Sequence, residues 1–304
     1  MNKDDLKLLK SITGKDSLDG AYNIRKNGTS IERKITENTN IVTKEDNSGI
    51  DIYVKDNASF EFIYIPVIIT ESGLMDVVYN DFHIGENSNV YILAGCGIKH
   101  NDKNKSEHDG IHRFYIGENS KVTYIENHYG EGDHLNSKIL NPTTEITLGK
   151  NSKMDMDTTQ IKGVDKSIRK TYATLNDNST LTITEKIMTE KNQSAKTLFE
   201  TSLNGNNSNC HIVSRSFATE KSKQEFRSKI MGNNKCYAHV ECDAIIKDNG
   251  IVSAIPEITA KHVDANLIHE ATIGKIAGEQ LTKLMSLGLS KKEAEKEIIE
   301  GFLQ

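Results

Sequence analysis

The chain has 304 residues, a net charge of −5 and 36% hydrophobic residues. That length suits one long domain or two ordinary ones. The mildly acidic balance, with no basic patch, argues against a nucleic-acid binder. The lack of any 18-residue apolar run argues against a transmembrane helix.

The N-terminus runs from Met1-Asn-Lys-Asp-Asp into Leu6-Lys-Leu-Leu-Lys10. It lacks the apolar core and cleavage site of a signal peptide. Residues 1–50 are read as an N-terminal helix and a lead-in segment. Four cysteines do not make a disulfide framework in a chain of this length. Reduced thiols in a cytoplasm are expected, where thiolates more often bind metals or react.

A turn signal then recurs: Gly85-Glu-Asn-Ser88, Gly117-Glu-Asn-Ser120, Gly149-Lys-Asn-Ser152, Asn176-Asp-Asn-Ser179 and Asn206-Asn-Ser208. Asp56-Asn-Ala-Ser59 and Gly232-Asn-Asn-Lys235 are weaker copies. The Ser positions from 88 to 208 are 32, 32, 27 and 29 residues apart. Gly and Asn tolerate the left-handed backbone of a tight turn. Each turn precedes an alternating segment such as Val90-Tyr-Ile-Leu-Ala or Leu181-Thr-Ile-Thr-Glu, which fits period two, not a helix. A turn and strand repeated at this spacing predict a β-solenoid over residues 51–271, each rung burying its apolar face on the next. An ordinary sandwich would not explain so regular a spacing.

Aligning the rungs gives two inward columns. One reads Phe60, Val90, Val122, Met154, Leu181, Cys210, Cys236; the other reads Phe62, Ile92, Tyr124, Met156, Ile183, Ile212, Ala238. Six residues beyond the first column stand Cys96, His128, Gln160, Ile187, Ser216 and Cys242, and one further period lands on Glu270. Adjacent rungs lie roughly 5 Å apart. Cys242 and Glu270 are therefore expected side by side, as are Cys210 and Cys236. Cys210 and Cys236, in an apolar column, read equally well as small hydrophobes. Cys242, between Glu241 and Asp243, reads as functional.

A second group gathers Cys96, His100, His108, His112, His128, Asp133 and His134. Such clustering suggests a metal or acid–base site, although a solvated loop with surface histidines is the plainer reading. Five rungs separate Cys96 from Cys242, on the order of 25 Å. Cys96 is then a candidate point where sulfur or iron comes in, not a ligand beside Cys242.

The pattern turns helical after residue 271. Leu281, Leu284, Met285 and Leu287 have helical spacing, Gly288 suits a C-cap, and Ser290-Lys-Lys-Glu293 reads as a capping box. Ala294, Ile298, Ile299 and Phe302 fall on one side of the next helix. Residues 272–304 thus form an α-helical hairpin, either capping the last rung or docking a partner.

The tail also carries a resemblance. His269-Glu-Ala-Thr-Ile-Gly-Lys-Ile276, Glu279-Gln-Leu281, Leu284, Gly288-Leu-Ser290, Glu293-Ala294 and Glu300-Gly-Phe302 resemble the C-terminal signature of the SufB/SufD family. Gly20-Ala-Tyr-Asn-Ile-Arg25, Ile65-Pro-Val-Ile-Ile-Thr70, Cys242-Asp243 and Ile255-Pro-Glu257 fit the same family. The resemblance implies a right-handed parallel β-helix with a C-terminal helical pair. It implies a non-catalytic scaffold for nascent iron–sulfur clusters, and a SufC-type ABC ATPase gripping the helices, here through Leu281, Leu284, Ile298 and Phe302. It also implies a sulfur donor such as a cysteine desulfurase. The Cys of a Cys-Asp pair and the Glu of a His-Glu-Ala-Thr run serve assembly in SufB-type members, which maps onto Cys242 and Glu270, with His269 beside it.

The chain is shorter than a typical SufB and lacks its N-terminal Cys-x-x-Cys-type region, so it resembles compact SufB-like proteins of archaea and anaerobes. A homodimer is expected in place of a SufB–SufD pair, although a paralogue partner would serve as well. Soft thiolates suit iron and sulfide, while a carboxylate or imidazole suits a cluster that must later leave. Cys242 and Glu270 from two copies would supply four ligands, with Cys210, Cys236 or His269 as reserves, for a transient cluster. The alternatives are a SufD-like adaptor without its own cluster and a β-helix enzyme that modifies polysaccharides. An adaptor has no need of Cys242.

Overall fold

At the corners where the Gly/Asn-x-Asn-Ser signal recurs, an asparagine takes the left-handed conformation that the signal predicts; Lys191, Glu220 and Asp248 take it at three other corners. Asn87, Asn119, Asn151, Asn178 and Asn207 have φ between 54° and 57°. Their side chains also bond to one another along the stack. The Nδ2 of Asn119 donates to Asn87 Oδ1 at 3.2 Å, and Asn151 donates to Asn119 at 3.0 Å. Asn178 and Asn207 extend this ladder by two rungs.

The computed structural model describes residues 1–15, 17–100, 103–132 and 138–304, without the side chains of Asp4 and Lys162. Asp133 and His134 of the His-rich group lie outside the described residues. The elements are, in order, α1 (Lys3–Thr13), β1 (Ala21–Lys26), β2 (Thr29–Lys34), β3 (Thr39–Thr43), β4 (Gly49–Val54), β5 (Glu61–Ile69), β6 (Met75–Ile84), β7 (Asn89–Lys99), β8 (Ser106–Ile116) and β9 (Lys121–Glu131). Then come β10 (Lys138–Leu140), β11 (Thr143–Leu148), β12 (Lys153–Lys162), β13 (Lys166–Leu175), β14 (Thr180–Thr189), β15 (Ser194–Leu203), β16 (Ser208–Ala218), β17 (Lys223–Gly232), β18 (Cys236–Ile246), β19 (Ile251–Ala260) and β20 (Asn266–Gly274). Two helices, α2 (Gly278–Ser286) and α3 (Lys291–Phe302), close the chain.

The strands form two facing sheets, ordered β2-β1-β5-β7-β9-β12-β14-β16-β18-β20 and β19-β17-β15-β13-β10-β8-β6-β4-β3, with β11 also bridging β8 and β13. The chain crosses between sheets at each corner, so every rung contributes one strand to each. From β4 and β5 onward all pairings are parallel. The fold is the expected β-solenoid with a C-terminal helical pair. Its first rungs end in antiparallel pairs, β1 with β2 and β3 with β4. Its last rung, β19 and β20, has no further strand beyond it among the described residues.

The inward columns run as read from β7 to β16. Val90, Val122, Met154, Leu181 and Cys210 are in register and each at most 1% exposed. Burying such side chains contributes about 1.5–3 kcal/mol each. Two ends of the alignment need correction. Glu61 and Ile63, not Phe60 and Phe62, stand beside Val90 and Ile92; both phenylalanines point outward. At the other end Cys236 pairs with Ser208, and Cys210 pairs with Ala238. Gly232 stands level with Leu203, so the connection into β18 is one residue shorter than the one into β16. The column is therefore two residues off in β18: the shorter connection accounts for one, and taking Cys236 directly after Lys235, where Cys210 stands two after Ser208, accounts for the other.

Outside the columns, α1 packs Leu8, Leu9 and Ile12 on Ile24 and Ile68, covering the outer face of β5 and β7. A Cβ at Gly97 would meet Leu8 at 2.7 Å, so any larger residue there would force Leu8 to shift under the helix. Helix α3 begins with the predicted capping box, in which Ser290 N–H donates to Glu293 Oε2 at 2.8 Å. The pair α2 and α3 leaves the last rung uncovered, with Ile258, Val263 and Ile273 exposed. Among the described residues no helix is long and apolar enough to cross a membrane.

The corner asparagines give a direct test. Asn119→Ala puts an ordinary side chain in the left-handed conformation and should cost about 1–2 kcal/mol, read from the urea midpoint. Asn119→Gly should lose less, because only the ladder bonds go. Equal stability of the Ala variant and the parent would show that the turn does not depend on this conformation.

Candidate functional site

Inward positions of a solenoid are apolar by default, so polar residues in the columns mark the site. In β9 the alternation Val122, Tyr124, Glu126, His128 carries two ionisable groups inside, each at most 5% exposed. In β14 the same alternation buries Glu185. Register then runs Ala94, Glu126, Thr158, Glu185, Ser214, Cys242 and Ala271 across successive rungs of one sheet. Cys242 is thus the far member of a polar interior column.

The opposite sheet supplies the counter-charge. Arg169, in β13, donates through Nη1 to Glu126 Oε2 at 2.5 Å. Its Nη2 lies 3.3 Å from His128 Nδ1, and its Nε lies 3.8 Å from Glu185 Oε1. Thr197 and Ser214 donate hydroxyl hydrogens to Glu185 at 2.9 and 2.8 Å. Burial opposes charge on Glu126, but Arg169 and His128 outweigh it and hold the carboxyl well below the usual range. On Glu185 burial wins and the carboxyl is pushed up, against the pull of Arg169. Removing one partner of such a buried network costs about 3–5 kcal/mol, whereas apolar replacements of the whole set are often neutral. Stability alone therefore does not call for these charges.

The N-terminal group gathers at one end of this column. Cys96, His108, His112, His128 and Glu126 line a cavity of about 10 Å³, room for one water-sized group. His108 Nδ1 contacts Asp76 Oδ2 at 3.0 Å, and Arg25 donates to the same carboxylate. His112 Nδ1 lies 2.7 Å from the Tyr124 hydroxyl. Burial pushes His112 down to about 4, against the pull of Glu126, so its imidazole is neutral at physiological pH. Burial also pushes the Cys96 thiol well up. The solvated-loop reading fails for these residues, since all four are at most 5% exposed. His100 is also buried, but it does not line the cavity. Among the described residues, no three of these ligand atoms lie within 4.8 Å of one another, so the cavity is not a formed metal site.

At the C-terminal end the rung count is corrected. Cys242 pairs with Ala271 and Glu241 pairs with Glu270. Successive side chains alternate across a sheet. Cys242 accordingly points inward, 1% exposed, and the Glu270 side chain points outward, 67% exposed. The two are on neighbouring strands but not on one face. His269 pairs with Val240 and shares the inward face with Cys242, its Nδ1 3.4 Å from Ser228 Oγ. Burial pushes the Cys242 thiol up to about 12, and Glu185 and Asp243 add to the effect. Cys210 and Cys236 sit in the main apolar core, Cys210 beside Thr201 and likewise raised by burial to about 12. Their surroundings are those of small hydrophobes.

Residue patterning alone did not single out Glu126, Arg169 and Glu185. The available signal was a charged residue at an inward position of a period-two strand. The four residues expected to dock a partner are half-buried, and three of them, Leu284, Ile298 and Phe302, line a groove of about 580 Å³ between α2, α3 and Ile245. Leu281 does not line it.

Comparison with known proteins identifies the family. Residues 67–302 match the family described as "SUF system FeS cluster assembly, SufBD core domain". The chain is 31% identical over 258 residues to an iron–sulfur cluster assembly SufBD family protein of Pyrococcus horikoshii, covering 83% of this chain and 77% of that one. A counterpart in Methanocaldococcus jannaschii is 29% identical over the same length, covering 83% of this chain and 79% of its own. The iron–sulfur cluster assembly protein SufB of Bacillus subtilis is 34% identical over 102 residues, 32% of this chain and 22% of that protein. The chain therefore belongs to the SufBD family of iron–sulfur cluster assembly proteins.

Proposed function

We propose that the chain is the cytoplasmic scaffold of a SUF-type assembly complex, on which a transient iron–sulfur cluster forms at Cys242 before being handed on. The carrying observation is the interior column. It runs from Glu126, which Arg169 holds beside His128, through Glu185 and Ser214 to Cys242. Cys96 and His128 stand in the neighbouring column, which reaches Ala244 in β18. A purely structural adaptor has no use for such buried charges. Cys242 ends that column next to the uncovered last rung, where a second copy or a paralogue can bring its own thiol. His269, on the same inward face, is the candidate second ligand. Glu270 serves from the outer face of the adjacent strand, at the rung edge.

The uncovered edge supports a dimer. Among the described residues no strand pairs the outer side of β20, and Val263 and Ile273 beside it, with Ile258 on β19 of the facing sheet, are exposed. Open, apolar strand edges are templates for pairing with another chain. ATP hydrolysis belongs to a SufC-type partner held in the groove between α2 and α3. A cysteine desulfurase is the class of enzyme that would supply sulfur, with Cys96 the point where sulfur or iron comes in.

Three outcomes test this reading. Anaerobic reconstitution with iron and sulfide should give a visible-absorbing cluster that Cys242→Ser abolishes; a full cluster in the Ser variant rules out the assignment. Because the Cys242 thiol must lose a proton to bind metal, loading affinity of the parent should rise roughly tenfold per pH unit through the neutral range, and a pH-independent affinity would show that no protonated thiol becomes a ligand. Leu284→Asp with Phe302→Asp should weaken ATPase capture by about 30-fold or more in a pull-down, the loss typical of buried anchors. Unchanged capture would place the ATPase elsewhere.

A further inference from the structure

A second constellation lies on the outside of the solenoid, on the opposite face of the strand that carries Cys242. His211 of β16 and His239 of β18 are directly in register. Their rings stack at 5.4 Å with 6° between planes. Glu241, two residues after His239, shares its outward face and reaches both imidazoles. His211 Nε2 lies 3.2 Å from Glu241 Oε1, and His239 Nδ1 lies 3.4 Å from the same oxygen. Among the described residues this is the one trio of His, Cys, Asp or Glu whose ligand atoms all lie within 4.8 Å of one another.

We propose that His211, His239 and Glu241 form a binding site for a divalent first-row transition cation, with Glu270 orienting His239. Two imidazoles and one carboxylate select Fe(II), Co(II), Ni(II) or Zn(II). All-oxygen sets suit Mg(II) and Ca(II), and thiolates suit Cu(I). The side chains are 45%, 22% and 31% exposed, so an ion can arrive from solvent and keep water in its open positions. His239 Nε2 lies 3.6 Å from Glu270 Oε2. A carboxylate on the far nitrogen is the usual partner of a metal-bound imidazole, because it fixes the tautomer and leaves the other nitrogen free to ligate. The three ligands sit on a rigid ladder, so little ordering is needed on binding. No thiol takes part, since Cys242 faces the interior. The three ligands therefore stand whether or not a cluster forms at Cys242; only the orienting carboxylate, Glu270, is shared with the proposed cluster.

The test is anaerobic titration of the full chain with Co(II), read by its d–d absorption, with competition by Zn(II). The expected result is a single Co(II) per chain with nitrogen and oxygen ligation, bound equally well by the parent and by Cys242→Ser. His239→Ala and Glu241→Gln should abolish that signal. Glu270→Gln should weaken binding by about tenfold, as outer partners of metal ligands do. These side chains are on the surface, and thermal melts of the variants should match the parent. Binding that survives His239→Ala, or that vanishes with Cys242→Ser while His239→Ala leaves it intact, overturns the proposal. Loss of reconstitutable cluster with intact Co(II) binding bears on the Cys242 reading alone.

Discussion

In a solenoid every inward side chain stacks on its counterpart one rung away, and the rest of this structure depends on that constraint. The interior is long and narrow, walled by two sheets, and a stray charge there is costly to bury. A polar residue admitted to one rung must be met within the column or from the facing sheet. Glu126 cannot be buried in β9 unless a cation reaches it, and Arg169 of β13 does so at 2.5 Å. Arg169 in turn needs more than one acceptor for its planar fork of donors. Glu185, held by Thr197 and Ser214, lies at its Nε. The network is thus closed: each member is what makes its neighbour tolerable.

The same geometry explains why the thiols are quiet as they stand. Desolvation favours the neutral form of a cysteine. Cys96, Cys210 and Cys242 all have raised thiol pKa values for that reason. A reactive cysteine normally sits in an electropositive, partly exposed setting. Cys242 has instead Glu185 and Asp243 as charged neighbours, which push the same way as burial. Its chemistry must then come from what binds it. A metal ion displaces the proton and supplies the positive charge that the protein withholds.

Much of this was legible in the sequence because the turn motif is short, local and repeated. Asn119 in Gly117-Glu-Asn-Ser120 announces its left-handed backbone without tertiary context. Period-two alternation then places Val122 and Tyr124 inside. Register across the turn at Gly232-Asn-Asn-Lys235 was not legible, because a loop shortened by one residue keeps its turn character while sliding the strand. Nor was the Arg169–Glu126 pair. Its members are 43 residues apart and on opposite sheets, and no periodicity within one sheet connects them. The gathering of Cys96 with His108, His112 and His128 was visible as composition, but only the fold shows that one interior cavity collects them.

The corrected register changes what Cys242 and Glu270 can do together. Ligands on one face of a sheet can close on a single ion without moving the backbone; ligands on opposite faces cannot. Inside this chain, Cys242 has His269 as its companion, and Glu270 has His239. On the Cys242 side of the fold the inner and outer faces meet at the edge of β20, beyond which there is no further strand among the described residues. A cluster using both Cys242 and Glu270 must therefore form at that edge, and a second chain there would complete its coordination. The proposed cluster site requires the parallel stack to stop at β20. One more rung of the same repeat would pair the edge, bury Ala271 beneath another strand and divide the two ligand sets for good.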